Sequence, residues 1–217
     1  MKKIERADFV RKRLAKMYPK PKPPLNFTNP FTLLIAVLLS AQCTDERVNI
    51  VTKDLFKKAS TPKKMLALGE QKVFEAIKSC GLAPKKSKAI ISTSKILIDK
   101  FNSKVPKNFA DLETLPGVGH KTASVVLNQA FGFPAFAVDT HIHRLAQRWG
   151  LSQGKTVEQT ERDLKQLFPE SDWGNLHLQI IFYGREHCAA RDCYGLKCEI
   201  CKALYPKRRS KVITNKA

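Results

Sequence analysis

The sequence predicts an all-α protein. Apolar residues recur at helical spacing along nearly all of its 217 residues, no convincing stretch alternates with the period of two that marks a half-buried strand, and the short connectors carry proline or glycine. The first expected helix, over about 4–18, follows directly from the charged Met1-Lys2-Lys3 start, with no apolar leader of a signal peptide before it. Pro19-Lys20-Pro21-Lys22-Pro23-Pro24 cannot be helical and is the best linker candidate in the chain. Helices are then expected over about 30–42, 45–58, 62–68, 71–79, 85–101 and 107–114. The first of these holds the longest apolar stretch, around Leu33 to Leu39, which is far short of the ~18 residues that would span a bilayer. The spacing of Ala123, Val126, Leu127 and Ala130 predicts a helix over about 120–131. Asp139 or Thr140 is placed to cap the next, over about 139–149, and two more are expected over about 156–167 and 173–187. No internal repeat or low-complexity tract is visible beyond the proline segment.

Charge narrows the class of partner. Thirty-nine Lys plus Arg against 19 Asp plus Glu give a formal charge of +20, with a pI near 9.9, an imbalance that favours a polyanion. It is densest at the ends: residues 1 to 22 hold nine basic and two acidic side chains, and residues 202 to 217 hold six basic and none acidic. Both termini are therefore expected to help grip a phosphate backbone. Charge alone does not separate nucleic acid from anionic lipid, but no amphipathic lipid anchor is evident. With 43% hydrophobic residues the chain builds real cores, and its length suits one large domain or two small ones. A cytosolic setting, in which paired disulfides are not expected, fits these features.

Leu115 to Ala123 reads Leu-Pro-Gly-Val-Gly-His-Lys-Thr-Ala. Two glycines flanking one residue after a proline allow a tight turn in which Gly117 and Gly119 are expected to take positive φ and turn their N–H groups outward. A hairpin of donors feeding a helix N-terminus is an anion site, and a DNA phosphate is the natural guest. The plainer reading is a short connector between two helices, and the basic composition favours the former. Lys121 follows within this run, and Asp139 comes 18 positions later, inside Ala137-Val138-Asp139-Thr140-His141-Ile142-His143-Arg144. Amine nucleophile, carboxylate and phosphate cradle thus lie in one chain.

Four of the six cysteines fall near the C-terminal end, where Cys188, Cys193, Cys198 and Cys201 form a C-x4-C-x4-C-x2-C pattern. Four soft ligands within 14 residues of a cytosolic chain favour a metal or a cluster over unrelated thiols. Tetrahedral zinc and a [4Fe-4S] cluster both suit such thiolates, and spacing alone does not choose between them. Cys43 and Cys80 stand alone and read as small buried hydrophobes.

Taken together these motifs resemble the endonuclease III branch of the helix-hairpin-helix (HhH-GPD) DNA glycosylases. The resemblance covers nearly the whole length. It is carried by Leu33 to Asp45, by Gly81-Leu82 followed by Ser87-Lys88-Ala89, by Leu115 to Ala123, and by Val138 to Arg144 with the cysteine-rich tail after Tyr183-Gly184-Arg185. It implies a two-lobed fold: residues 23–133 form a helical barrel with the hairpin, and residues 1–22 with 134–217 form a cluster-bearing helical domain. It also implies a bifunctional N-glycosylase and abasic-site lyase of base excision repair. The enzyme would act as a monomer on double-stranded DNA with damaged bases or abasic sites, without a membrane, in the bacterial cytoplasm at the nucleoid. Lys121 and Asp139 match the family's catalytic lysine and aspartate, and the lesions implied are oxidised pyrimidines.

The chemistry supports those two positions independently. A lysine displaces a base only as the free amine, so its pKa must fall from about 10.4, which partial burial and a helix N-terminus both favour and excess phosphate opposes. Attack at the anomeric carbon has oxocarbenium character, which a nearby carboxylate stabilises, and the same carboxylate can take the proton that the amine must lose. The ordinary readings are a solvent-facing lysine and a helix cap at Asp139. Capping and catalysis are compatible, since each needs one carboxylate oxygen. A binding module that only holds duplex DNA is the competing function, and the sequence alone leaves the lesion open, mismatched or alkylated bases included.

A target base must also be rotated out of the duplex and the gap filled. The resemblance points to Gln42 and Leu82 for that task, Leu82 being an apolar side chain on a loop and Gln42 alternatively a helix cap. The hairpin residues Gly117, Val118, Gly119, His120 and Thr122 complete the expected DNA contacts, with a histidine at position 120 where the family usually carries a cation. Glu113 and Asp45 are candidates for lining the pocket or for plain surface acids, while His141 and His143 read as helix-surface or packing residues. The family's usual cluster pattern is C-x6-C-x2-C-x5-C, so Cys188, Cys198 and Cys201 fit as its first three members, the fourth is missing near Lys207, and Cys193 is expected to substitute. The cofactor implied is a [4Fe-4S] cluster on Cys188, Cys193, Cys198 and Cys201, with zinc as the alternative.

Overall fold

The computed structural model describes residues 1–217, and its regular elements are all helical, with no strand. They are α1 (Lys3–Met17), α2 (Pro30–Ser40), α3 (Asp45–Lys58), α4 (Pro62–Leu68), α5 (Glu70–Ile77), α6 (Ala83–Phe101), α7 (Phe109–Leu112), α8 (His120–Phe131), α9 (Thr140–Arg148), α10 (Val157–Leu167), α11 (Trp173–Glu186) and α12 (Glu199–Leu204), with a 3-10 turn at Glu170–Asp172. No helix is long and apolar enough to cross a membrane. The chain divides into two compact units, Pro23–Phe133 and Met1–Lys22 with Pro134–Ala217.

In the Pro23–Phe133 unit, α2 is apolar on every face, and Phe31 through Leu39 are all buried. A helix of that kind has no solvent side and becomes the axis on which its neighbours, here α3, α6 and α8, are packed. It starts sharply because Pro30 occupies its first turn and the Asn29 side chain accepts a hydrogen bond from the Thr32 N–H at 2.9 Å. It ends at Ser40, before the expected 42, because Ala41 is extended and Gln42 is left-handed at φ 53°. Gln42 is therefore a loop residue and not a cap of α2. Helix α7 is also shorter than the expected 107–114, a single turn capped by Asn108, whose Oδ1 accepts from the Asp111 N–H at 2.8 Å.

In the other unit, both chain ends meet one core. The α1 stripe of Ala7, Val10 and Leu14 is buried with Ile142, Leu145 and Trp149, with Ile180 and Tyr183, and with Ile200, Leu204 and the four clustered cysteines. Helix α12 was not expected from the sequence, because six residues inside a cysteine-rich tail are too few to display a period. Part of the terminal basic charge turns inward, contrary to a purely DNA-gripping role. Arg6 donates to the Gly150 carbonyl at 2.9 Å, Arg11 pairs with Asp8 and Asp172 at 3.1 and 3.2 Å, and Arg13 pairs with Glu199 at 2.6 Å. Arg208 donates to the carbonyls of Arg148 and Gly195 while lying 3.7 Å from the Tyr205 ring centroid.

Candidate active site

The hairpin is closed by the Val118 N–H donating to the Leu115 carbonyl at 3.0 Å. Gly117 takes φ 80°, and a Cβ there would lie 3.3 Å from Leu38 Cδ1 and 3.5 Å from Ala89 Cβ. Gly117→Ala is accordingly expected to destabilise the protein by about 1–2 kcal/mol through left-handed strain, a loss that thermal unfolding measures directly. Gly119 departs from expectation, with φ −95° and ψ 178°. One left-handed residue suffices to reverse the chain, and the next must be extended to serve as the N-cap of α8. What the missing side chain at Gly119 provides is clearance: a Cβ would meet nothing within 4 Å, and α8 has no side-chain cap over its first turn. Gly117, Gly119 and His120 are exposed and Thr122 is half-exposed, whereas the Val118 side chain is buried as an anchor.

Lys121 is exposed at the second position of α8. Beside it in sequence, His120 is fixed in a way the sequence did not suggest. Its Nδ1 lies 2.8 Å from Glu113 Oε1, and its ring stacks on Phe109 with centroids 4.8 Å apart and planes 16° from parallel. Glu113 is thereby part of the hairpin. Glu113 lies seven positions before His120 and Phe109 eleven, across the break between α7 and α8, so the periodicity of a single helix does not report the arrangement.

Asp139, in the other unit, is half-buried and caps α9, its Oδ1 accepting from the Ile142 N–H at 2.9 Å. That cap uses one carboxylate oxygen and holds the side chain in a fixed rotamer. His143 is buried with Nδ1 2.8 Å from Thr160 Oγ1, and His141 is half-buried with burial lowering its pKa. Both are packing residues of α9, as expected.

Gln42 and Leu82 come together. Each is exposed and each is a non-glycine residue in left-handed backbone, at φ 53° and 61°. Between them stands Gly81, where an added Cβ would be only 2.7 Å from the Gln42 carbonyl oxygen. Cys43 and Cys80 lie immediately beside these loops. Cys80 is buried, with its thiol pushed up to about 11 by burial and by its hydrogen bond to Cys43. Asp45 is half-buried in the first turn of α3, where a carboxylate suits the helix dipole. A separate cavity of about 590 Å³ in this unit, walled by Phe31, Thr61, Asn102, Val105, Lys107 and Phe131, includes none of the residues singled out from the sequence.

The four cysteine sulfurs Cys188, Cys193, Cys198 and Cys201 lie within 4.8 Å of one another, and all four residues are buried. Cys188, Cys198 and Cys201 compete for ionisation. Hydrogen bonds from Cys188 and Cys201 hold the Cys198 thiol far below its ordinary range, while the contact with Cys198 pushes Cys188 up and the contacts with Cys188 and Cys198 push Cys201 up. Four thiolates packed this closely would repel one another, and a bound metal or cluster is the kind of charge that offsets such repulsion. The donor set is therefore that of a soft-metal centre.

The loop that carries these cysteines is held by Arg148, which is 1% exposed. Its guanidinium donates to the Cys188 carbonyl and Sγ, both at 3.2 Å, and to the carbonyls of Ala189 and Ala190, both at 2.9 Å. Arg144 adds donations to the carbonyls of Gly184 and Cys188 at 3.1 Å. Arg148→Met strands the Ala189 and Ala190 carbonyls, leaving Cys188 only its Arg144 donor, and is expected to cost about 2–4 kcal/mol. Thermal unfolding together with metal content checks this: loss of metal should accompany the lowered melting temperature.

Comparison with known proteins extends these findings. Residues 35–170 match the model of the HhH-GPD superfamily base excision DNA repair protein. The chain is 48% identical over 191 residues to endonuclease III of Escherichia coli (strain K12), covering 88% of this chain and 90% of that one. It is 50% identical over 173 residues to endonuclease III of Treponema pallidum (strain Nichols), covering 80% and 82%. Among solved structures, a trapped endonuclease III–DNA covalent intermediate matches with a TM-score of 0.85 at 40% identity, over 92% of this chain and 97% of that one. A non-covalent endonuclease III–DNA complex matches equally, at 0.85 and 40% over 94% and 99%. A thermostable thymine-DNA glycosylase, at 21% identity and a TM-score of 0.81 over 94% and 98%, shares the fold.

Proposed function

The chain belongs to the HhH-GPD superfamily of base excision DNA repair proteins, and from that premise we propose that it is a bifunctional DNA glycosylase and abasic-site lyase acting on oxidised pyrimidines in duplex DNA. The observation that carries the reading is Lys121, an exposed amine in the first turn of α8 directly after the Leu115–Gly119 hairpin, in a chain 40% identical to an endonuclease III caught covalently bound to DNA.

The steps follow from this chain's own residues. Backbone donors at the uncapped start of α8 take a phosphate, and the clearance at Gly119 lets the strand approach. With the lesion rotated out of the stack, the neutral Lys121 amine attacks C1′ of the deoxyribose as the glycosidic bond breaks, and the base leaves with the bonding electrons and gains a proton. The Asp139 carboxylate stabilises the positive charge that develops on the sugar and accepts the proton that nitrogen sheds. Ring opening leaves an imine between Lys121 and C1′. The imine acidifies C2′–H, so loss of that proton expels the 3′ phosphate by β-elimination and nicks the strand. Water then hydrolyses the imine and restores the amine. Gln42 and Leu82 fill the space that the extruded nucleotide leaves.

Cys188, Cys193, Cys198 and Cys201 would hold a [4Fe-4S] cluster, which the family favours over zinc for this donor set. When bound, it supplies a structural cross-link for the tail between α11 and α12. The expected working form is a monomer in the bacterial cytoplasm.

Borohydride trapping on a duplex carrying one thymine glycol tests the function. A covalent band mapped by mass spectrometry to Lys121 is the expected result. Its absence on both this duplex and one with an abasic site would leave only duplex binding.

A further inference from the structure

Lys86 sits in α6 at 5% exposure, yet no carboxylate neutralises it. Its ammonium donates to two backbone carbonyls at the end of α2, Leu39 at 2.8 Å and Ala41 at 2.6 Å. A helix C-terminus presents unpaired carbonyls and a partial negative charge, so a buried cation is well placed there. The same residue grips the second loop through its backbone, because its N–H donates to the Leu82 carbonyl at 3.0 Å as the first bond of α6. One residue thus bonds both to Leu82 and to the residue immediately before Gln42. Gly81 completes the contact, since any Cβ there would strike the Gln42 carbonyl at 2.7 Å.

The geometry points to Lys86 as a positioning residue that fastens the Gln42 loop to the Leu82 turn, so that the two exposed side chains enter the duplex as one preformed wedge. This rests on the reading of Gln42 and Leu82 as the residues that fill the vacated space. Both are left-handed residues with side chains, a conformation that costs free energy and persists only where surrounding bonds enforce it. The Lys86 bonds supply that enforcement. Filling the gap then requires no loop ordering at the moment of base extrusion.

A double-mutant cycle separates this role from general support of the fold. Single-turnover release of thymine glycol from a duplex is measured for Lys86→Met, Gln42→Ala and the double variant. Strand cleavage of a single-stranded abasic oligonucleotide, which has no opposite strand to fill, serves as the companion assay. Each single change is expected to slow release from the duplex about tenfold and the two to combine non-additively because the residues act as a unit, while Lys86→Met is expected to leave cleavage of the single strand within about threefold. Lys86→Arg, which keeps donors, is expected to recover most of the loss. Gly81→Ala presses on the same Gln42 carbonyl and should reproduce the defect, which keeps the test open if Lys86→Met folds poorly. Additive effects, or equal losses on both substrates, would overturn the clamp while leaving the wedge in place. A Gln42→Ala variant with normal duplex activity would remove the wedge reading and the clamp with it.

Discussion

Lys121→Gln is expected to abolish the borohydride-trapped adduct and to lower both base release and strand cleavage by at least roughly 10³-fold, since removal of a covalent nucleophile takes away the pathway and not merely a contact. Binding to a duplex with an abasic site should survive within about threefold, because phosphate contacts dominate affinity and the backbone donors of α8 are untouched. Glutamine is the right probe. It keeps the length and polarity of an exposed side chain in α8 and leaves the Val118–Leu115 hairpin bond in place. Single-turnover kinetics and a salt-matched binding titration, run on the same preparation, read the two effects separately. Retained cleavage with an adduct shifted to another lysine would reassign the nucleophile. Retained activity with no adduct on any residue would mean that an activated water does the chemistry.

Cys198→Ser is expected to have the largest effect on stability. The four sulfurs are buried together in the core shared by α1, α9, α11 and α12, so a group bound by them would cross-link that core. Metal binding of this kind couples directly to folding, and its loss is expected to remove several kcal/mol, on the order of a third or more of the stability of a typical domain. The purified variant should lack the broad absorbance near ~400 nm and the iron expected of the parent protein. Thermal unfolding should become two-step, with the Met1–Lys22 and Pro134–Ala217 unit melting early and the Pro23–Phe133 unit near its original temperature. A parent protein that contains stoichiometric zinc and no iron would correct the cofactor without changing the ligands.

How much of this was legible beforehand depended on the range over which each feature is encoded. The all-helical class, the long apolar stretch in α2 and the capped start at Asp139 follow from apolar spacing and local hydrogen-bonding chemistry, which the sequence states residue by residue. The cysteines were equally plain, because four soft ligands within 14 residues need little folding to meet. Helix α12 escaped because its six residues are shorter than the window in which a period can be recognised. Gly119 was misjudged because a Gly-x-Gly run says that a turn is needed without saying which glycine makes it.

The remaining features are relations between distant segments. Lys86 reads in sequence as one more charge in Lys85-Lys86-Ser87-Lys88, and nothing marks it as the member that turns inward to carbonyls 45 and 47 positions away. Arg148 is similarly one of many basic residues until α9 places it under the loop from Cys188 to Ala190, some 40 positions on. By itself the sequence determined which elements form and which chemistry the chain carries, since propensity, capping and ligand type act over a few residues. Only the tertiary structure decided which two of its many cations are buried and what they hold. Burial of a charge is set by the carbonyls and cavities that packing assembles around it, and local sequence does not contain those partners.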